Sequence, residues 1–307
     1  MVKRKPAQKT VSTNPPRADE GPLSLPNSDS FPFAHYTSLV GVNCSLLVFV
    51  GLFFPQSTTF FGVSNFNTYP SQTTSRDRPQ HSFLEPLTAS PVWTLAHLCF
   101  GAIILQAWWS AWVRHWWIDN NLRGAREDKK MQKQNLEKKK LAQYAKAWMF
   151  VLSTSIAFHA ILVVLGAPLI SHVTQTYLLA LFLAVLTVAP PAYTFGPIAL
   201  SSDSESLIRR LSWTRLFAEF QIHDPIERAI VYPVVGAVLG SWLGVVPIAL
   251  DWDRPWQAWP LTPAYGALTG YITGSMAALT VSAIKALADE HLRSLKNEQI
   301  QDSPLAP

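Results

Sequence analysis

Charge is scarce in this 307-residue sequence, at 15% of residues against 49% apolar, and six long stretches contain no Lys, Arg, Asp or Glu at all. Each stretch is close to the roughly 20 residues that a helix needs to cross the hydrocarbon core of a bilayer. Six spanning helices are therefore expected, at about His35–Phe54, Pro91–Val113, Ala147–Ile170, Gln175–Gly196, Ala229–Leu250 and Leu261–Ile284. Runs such as LLALFLAVLTVA are apolar all round and lack the alternation of a membrane barrel strand. The expected fold class is all-α and polytopic.

Other scarcities exclude chemistry. There are two cysteines, Cys44 and Cys99, both inside expected spans. That leaves no disulfide framework or zinc site, and both thiols read as small buried hydrophobes. Nucleophile elbows, phosphate-cradling glycine loops and HExxH pairs are missing. No catalytic residue, metal-ligand set or cofactor is assigned. Only His97 and His159 stand well inside a span, and without carboxylate partners they read as satisfied core histidines sooner than as a proton relay. No apolar segment precedes a cleavage site near the start, so no removable signal peptide is expected. The polar, proline-dotted residues 1–34 read as a disordered basic tail.

The basic residues that are present are unevenly placed. With six spans, one side of the membrane receives both tails, the basic connection 114–146 and the connection 197–228, with 22 of the 25 Lys and Arg. The other side receives the connections 55–90, 171–174 and 251–260, with 3. Basic connections stay in the cytosol. Both termini, including the tail 285–307, are thus expected to be cytosolic, and 55–90 and 251–260 lumenal or exterior. The connection 114–146 has a helix-favouring composition, compatible with attraction to anionic lipid headgroups. The net charge of +5 is explained by this topology, so no nucleic-acid partner is inferred.

Gly236, Gly240 and Gly244 recur every four residues in the fifth span, and Gly266, Gly270 and Gly274 do so in the sixth. Such rows let helix backbones approach closely. They are expected to form seams with one another or with a partner. The Pro190–Pro191 pair should break the hydrogen-bond ladder of the fourth span locally, and Gly166-Ala167-Pro168 should mark the end of the third.

Between the two glycine rows lies LDWDRPWQAWP, Leu250 to Pro260. Asp251 and Asp253 are two apart, a spacing that chelates a divalent ion if the backbone is extended. Arg254 stands beside both. Trp252, Trp256 and Trp259 suit a headgroup-level aromatic belt. Pro255 and Pro260 make the segment stiff and non-helical. Interface belt, partner or lipid-headgroup docking, and catalysis all stay open on the residues alone.

The stretch from Ile230 to Tyr271, with its glycine-rich helix followed by P-I-A-L-D-W-D-R-P-W-Q-A-W-P, resembles the PIG-F family of glycosylphosphatidylinositol (GPI) anchor biosynthesis proteins. The similarity reaches back through Trp213-Thr214-Arg215-Leu216-Phe217 to LGAPL, Leu165–Leu169. It does not reach before Ser90, and the long basic tail is more like that of a fungal member. The resemblance implies a multi-pass endoplasmic-reticulum protein without catalytic residues of its own. It further implies that this protein binds and stabilises the GPI ethanolamine-phosphate transferase, whose own lumenal domain moves phosphoethanolamine onto a GPI mannose. A rival reading, from the enzyme class, is that the chain itself presents phosphatidylethanolamine or performs the transfer, with Asp251 and Asp253 holding a divalent ion.

Overall fold

A computed structural model describes residues 31–57, 81, 83–121, 126–199 and 201–302. The expectations for the N-terminal tail and for most of the 55–90 connection fall outside these residues. The described chain is helical: α1 Phe33–Leu52, α2 Glu85–Ala89, α3 Pro91–Asn121, α4 Arg126–Lys138, α5 Lys140–Val164, α6 Val173–Phe195, α7 Ser204–Phe217, α8 Pro225–Leu243 and α9 Leu261–Asp302. Six of them, α1, α3, α5, α6, α8 and α9, are long and apolar enough to span a membrane. In hydrocarbon every backbone N–H and C=O must be satisfied within the segment, and helices are the solution for such runs.

The helices outrun the apolar stretches that define them. At 1.5 Å per residue α3 is about 46 Å long and α9 about 63 Å, against a hydrocarbon thickness of about 30 Å. Both are therefore longer than a crossing requires and continue past Val113 and past Ile284. The third span starts and ends earlier than expected, at Lys140 and Val164. α5 stops at Val164, where Gly166 takes φ +108° and the N–H of Ala167 returns to the Leu162 carbonyl, 2.9 Å. The proline pair interrupts the ladder locally, as expected, without ending the helix. Pro190 and Pro191 cost the ladder two donors, yet α6 runs on to Phe195 with both residues buried. The packing around α6 holds its path where local hydrogen bonding is lost.

α6 is the central element, with Leu179, Ala180, Phe182, Val185 and Leu186 inaccessible on several faces, and α5 is peripheral, burying only Ala147, Val151 and Ser155. A second core, of Tyr36, Trp109, Trp116, Ile226 and Ile230, joins α1, α3 and α8. Polar groups lie inside the bundle too. The Tyr271 hydroxyl, 1% exposed, donates to Gln106 Oε1 at 3.0 Å. Arg228, buried at the start of α8, donates through Nε to Ser282 Oγ at 3.1 Å and through Nη1 to the His223 carbonyl at 3.0 Å. Cys44 and Cys99 are free and buried, the Cys99 thiol donating to the Leu178 carbonyl at 3.3 Å. His97 is satisfied by the Trp93 carbonyl, 2.7 Å away, near the start of α3. His159 is not: its Nδ1 is enclosed with no hydrogen-bond partner among the described residues.

Candidate functional site

α8 begins at a proline, where a missing N–H costs nothing. Its start is clamped to α7. Glu227 is buried, accepts the His223 N–H at 2.9 Å and pairs with Arg215. The hydrogen bond from Arg215 to the Glu227 carboxylate raises the arginine pKa above its ordinary value. Trp213, from the same WTRLF segment, donates its indole N–H to the Gly196 carbonyl at 3.1 Å, tying α7 to the end of α6.

From there α8 runs against α9 through the two glycine rows, which face each other. A Cβ added at Gly236 would lie 2.1 Å from the Gly270 carbonyl oxygen, and one at Gly240 would lie 2.1 Å from that of Gly266. Gly244 meets the Thr262 carbonyl at 2.4 Å, and Gly274 meets that of Tyr232 at 2.4 Å. The backbones are in contact, so no side chain fits between them. The rows are thus used up within the chain, and the alternative of a glycine surface turned toward a partner does not hold.

The turn between the two helices is built around one residue that sequence reasoning passed over. Gln257 accepts the Arg254 N–H at 2.7 Å and donates to the carbonyls of Pro247 at 2.6 Å and Leu250 at 2.8 Å. It thereby folds Leu250–Gln257 into a compact loop. Its signal was present: glutamine three residues after Arg254, with proline at the first helical position, has the spacing of a capping box. Asp251, Trp252 and Asp253 point outward, while Arg254, Trp256 and Trp259 are half-buried. Trp252, 55% exposed, meets Trp256 edge to face at 5.6 Å.

The three tryptophans do not form one belt. Trp259 turns inward, packs on the core and donates its indole N–H to Thr176 Oγ1 of α6 at 3.0 Å. Nor does the loop offer the extended D-x-D backbone, since Asp253 sits at φ +47°, in the left-handed region. Among the described residues no cluster of three His, Cys, Asp or Glu side chains is grouped to hold a metal ion.

Beside the loop an apolar groove of about 650 Å³ opens between two helix pairs. Phe158 and Ile161 of α5 and Leu165 just past its end, with Leu179 and Leu183 of α6, form one wall. Val238 and Trp242 of α8, with Trp259, form the other. Trp242 is 70% exposed. The arrangement suits a hydrophobic ligand or helix entering from the side, with polar groups of the loop at one end.

The family model described as "GPI biosynthesis protein family Pig-F" matches residues 79–279. Among curated proteins, the human "GPI ethanolamine phosphate transferase, stabilizing subunit" is 33% identical over 135 residues, 44% of this chain and 57% of the relative. "Glycosylphosphatidylinositol anchor biosynthesis protein 11" of Pyricularia oryzae is 42% identical over 127 residues, 41% of this chain and 42% of the relative. The protein of that name in Debaryomyces hansenii is 37% identical over 126 residues, 41% and 49%. The chain spans about half the length of the curated relatives it matches. No solved structure matches. With the family model covering α2 through most of the apolar part of α9, including the glycine seam and the loop, this multi-pass helical membrane protein belongs to the Pig-F family of GPI biosynthesis proteins.

Proposed function

We propose that the chain is a non-catalytic membrane subunit that binds and stabilises the catalytic GPI ethanolamine phosphate transferase in the endoplasmic-reticulum membrane. Both termini are then cytosolic and the DWDRPW loop lumenal, on the side where the transfer chemistry would take place. The name of the human relative, a stabilizing subunit, supports this reading. So does the distribution of Lys and Arg, which are concentrated on the opposite side.

The observation that carries it is the pairing, at one end of the bundle, of the exposed apolar groove with the exposed turn that α8, α9 and Gln257 hold rigid. A transmembrane helix of the transferase fits the groove by apolar packing. The loop offers Asp251 as a hydrogen-bond acceptor and Trp252 as an aromatic anchor to the segment that follows the helix. Because α8 and α9 are already zipped to each other, the surface is preformed, and binding costs little ordering entropy.

Replacing Trp242 by Ala tests this. Trp242 stands on the groove's rim away from the glycine seam, so the chain itself should persist at normal abundance. Loss of an aromatic anchor costs about 2 kcal/mol, or about thirtyfold in affinity. Recovery of the transferase in a detergent pull-down should fall accordingly. Undiminished recovery would remove the groove from the interface.

A further inference from the structure

At the end of the bundle opposite the DWDRPW loop lies a cavity of about 520 Å³ that the docking reading does not use. Its walls come from the end of α3, the α4–α5 junction, the end of α6 and the start of α7. Four cationic side chains line it, Arg114, Lys139, Lys146 and Arg209, against one carboxylate, Glu205. Glu205 is taken up by Arg209, 3.4 Å away.

Arg114 is the least ordinary of the four. It is half-buried, donates to the Tyr193 carbonyl at 2.6 Å and to Gln143, and lies 4.7 Å over the Tyr193 ring. All of these partners are neutral. They fix the guanidinium's direction; the carboxylate that acts on its charge, Glu137, makes no ion pair with it and is bound by Lys140 at 3.4 Å, so a partly desolvated cation remains that favours a further anion beside it. Lys139 and Lys146 add two mobile ammonium groups at the rim, both exposed.

The remainder of the lining mixes polar Asn121, Gln143 and Thr194 with an apolar side on which Trp117 and Phe195 are the largest members. A small inorganic anion would use the cationic wall alone. A phospholipid uses both walls, setting its phosphate among the cations and its glycerol and upper acyl carbons on the aromatic side. The cavity also sits where α3 and α6 reach the end of their apolar runs, at the depth of a lipid headgroup. We infer that it binds the phosphate-bearing headgroup of an anionic membrane phospholipid, with Arg114, Lys139 and Lys146 as the anion-facing groups.

The full chain, purified in a nonionic detergent, is to be titrated with phosphatidate, with phosphatidylcholine of the same acyl chains, and with inorganic phosphate, following the thermal unfolding midpoint. Phosphatidate should raise the midpoint saturably, and the other two should not. The double variant Lys139→Gln, Lys146→Gln, which removes no hydrogen bond of the fold, should weaken phosphatidate by about tenfold. Lys285→Gln with Lys296→Gln, equally exposed on the polar part of α9, should leave it unchanged. A full shift from inorganic phosphate alone would overturn the lipid assignment. Equal weakening by the α9 pair, or no saturable shift with phosphatidate, would overturn the site.

Discussion

The α8–α9 seam and the α5–α6 seam join neighbouring helices by opposite means. In the first, glycines put main chain against main chain, and an added Cβ would fall within 2.0–2.4 Å of a carbonyl oxygen along the whole contact. In the second, side chains do the packing: Val151 and Ala147 are enclosed, and the Ser155 and Tyr177 hydroxyls stand 3.4 Å apart. The difference follows from the solvent. Lipid tails are as apolar as leucine, so burying another leucine against them brings little, whereas backbone contact brings dispersion and weak Cα–H hydrogen bonds that lipid cannot replace. A glycine seam admits no extra atom, while a side-chain seam adjusts. The rigid pair presents the loop, and the adjustable helix forms the other wall of the groove.

This contrast is broken most severely at Gly270. The Gly270→Leu variant places a side chain where the Gly236 carbonyl stands at 2.0 Å, and should destabilise the protein by more than about 3 kcal/mol. Detergent-based unfolding, or accumulation of the chain in membranes, measures this; a stable variant would mean the seam opens easily. Val151→Ala in the other seam removes two methyl groups from a fully enclosed site, and the neighbours can close in part. A loss of about 1 kcal/mol is expected in the same unfolding assay. The contrast is sharpest at Gly41 of α1, where an added Cβ meets nothing within 4 Å. Gly41→Ala should be neutral or stabilising by up to about 1 kcal/mol, through helix propensity alone. Destabilisation there would show that glycine is needed in this bundle for reasons other than close approach.

The two seams also differ in how far a sequence reveals them. The glycine rows are visible as a four-residue period on two adjacent spans, and only their mutual facing had to come from the structure. Nothing comparable announces α5–α6, whose contact rests on ordinary residues such as Ala147 and Val151. Charge-free runs located all six spans, but they set the limits by polarity. The helical continuation of α3 through Asp119 and of α9 through Glu290 was therefore cut short, although the α9 stretch favours helix by composition.

At the loop, the spacing of Trp252, Trp256 and Trp259 says nothing of which ring turns inward. That depends on Thr176, 83 residues away. The basic cavity is less legible still. Arg114 counted as one more positive charge in a basic connection, and its fixed direction comes from Tyr193 and Gln143 on two other helices.

One property of α9 reaches further. The helix is uninterrupted from Leu261 to Asp302, and its first four turns are locked against α8. With no break along its length, the helix has no joint at which a pull on its polar arm would be dissipated before it reached the turns held against α8.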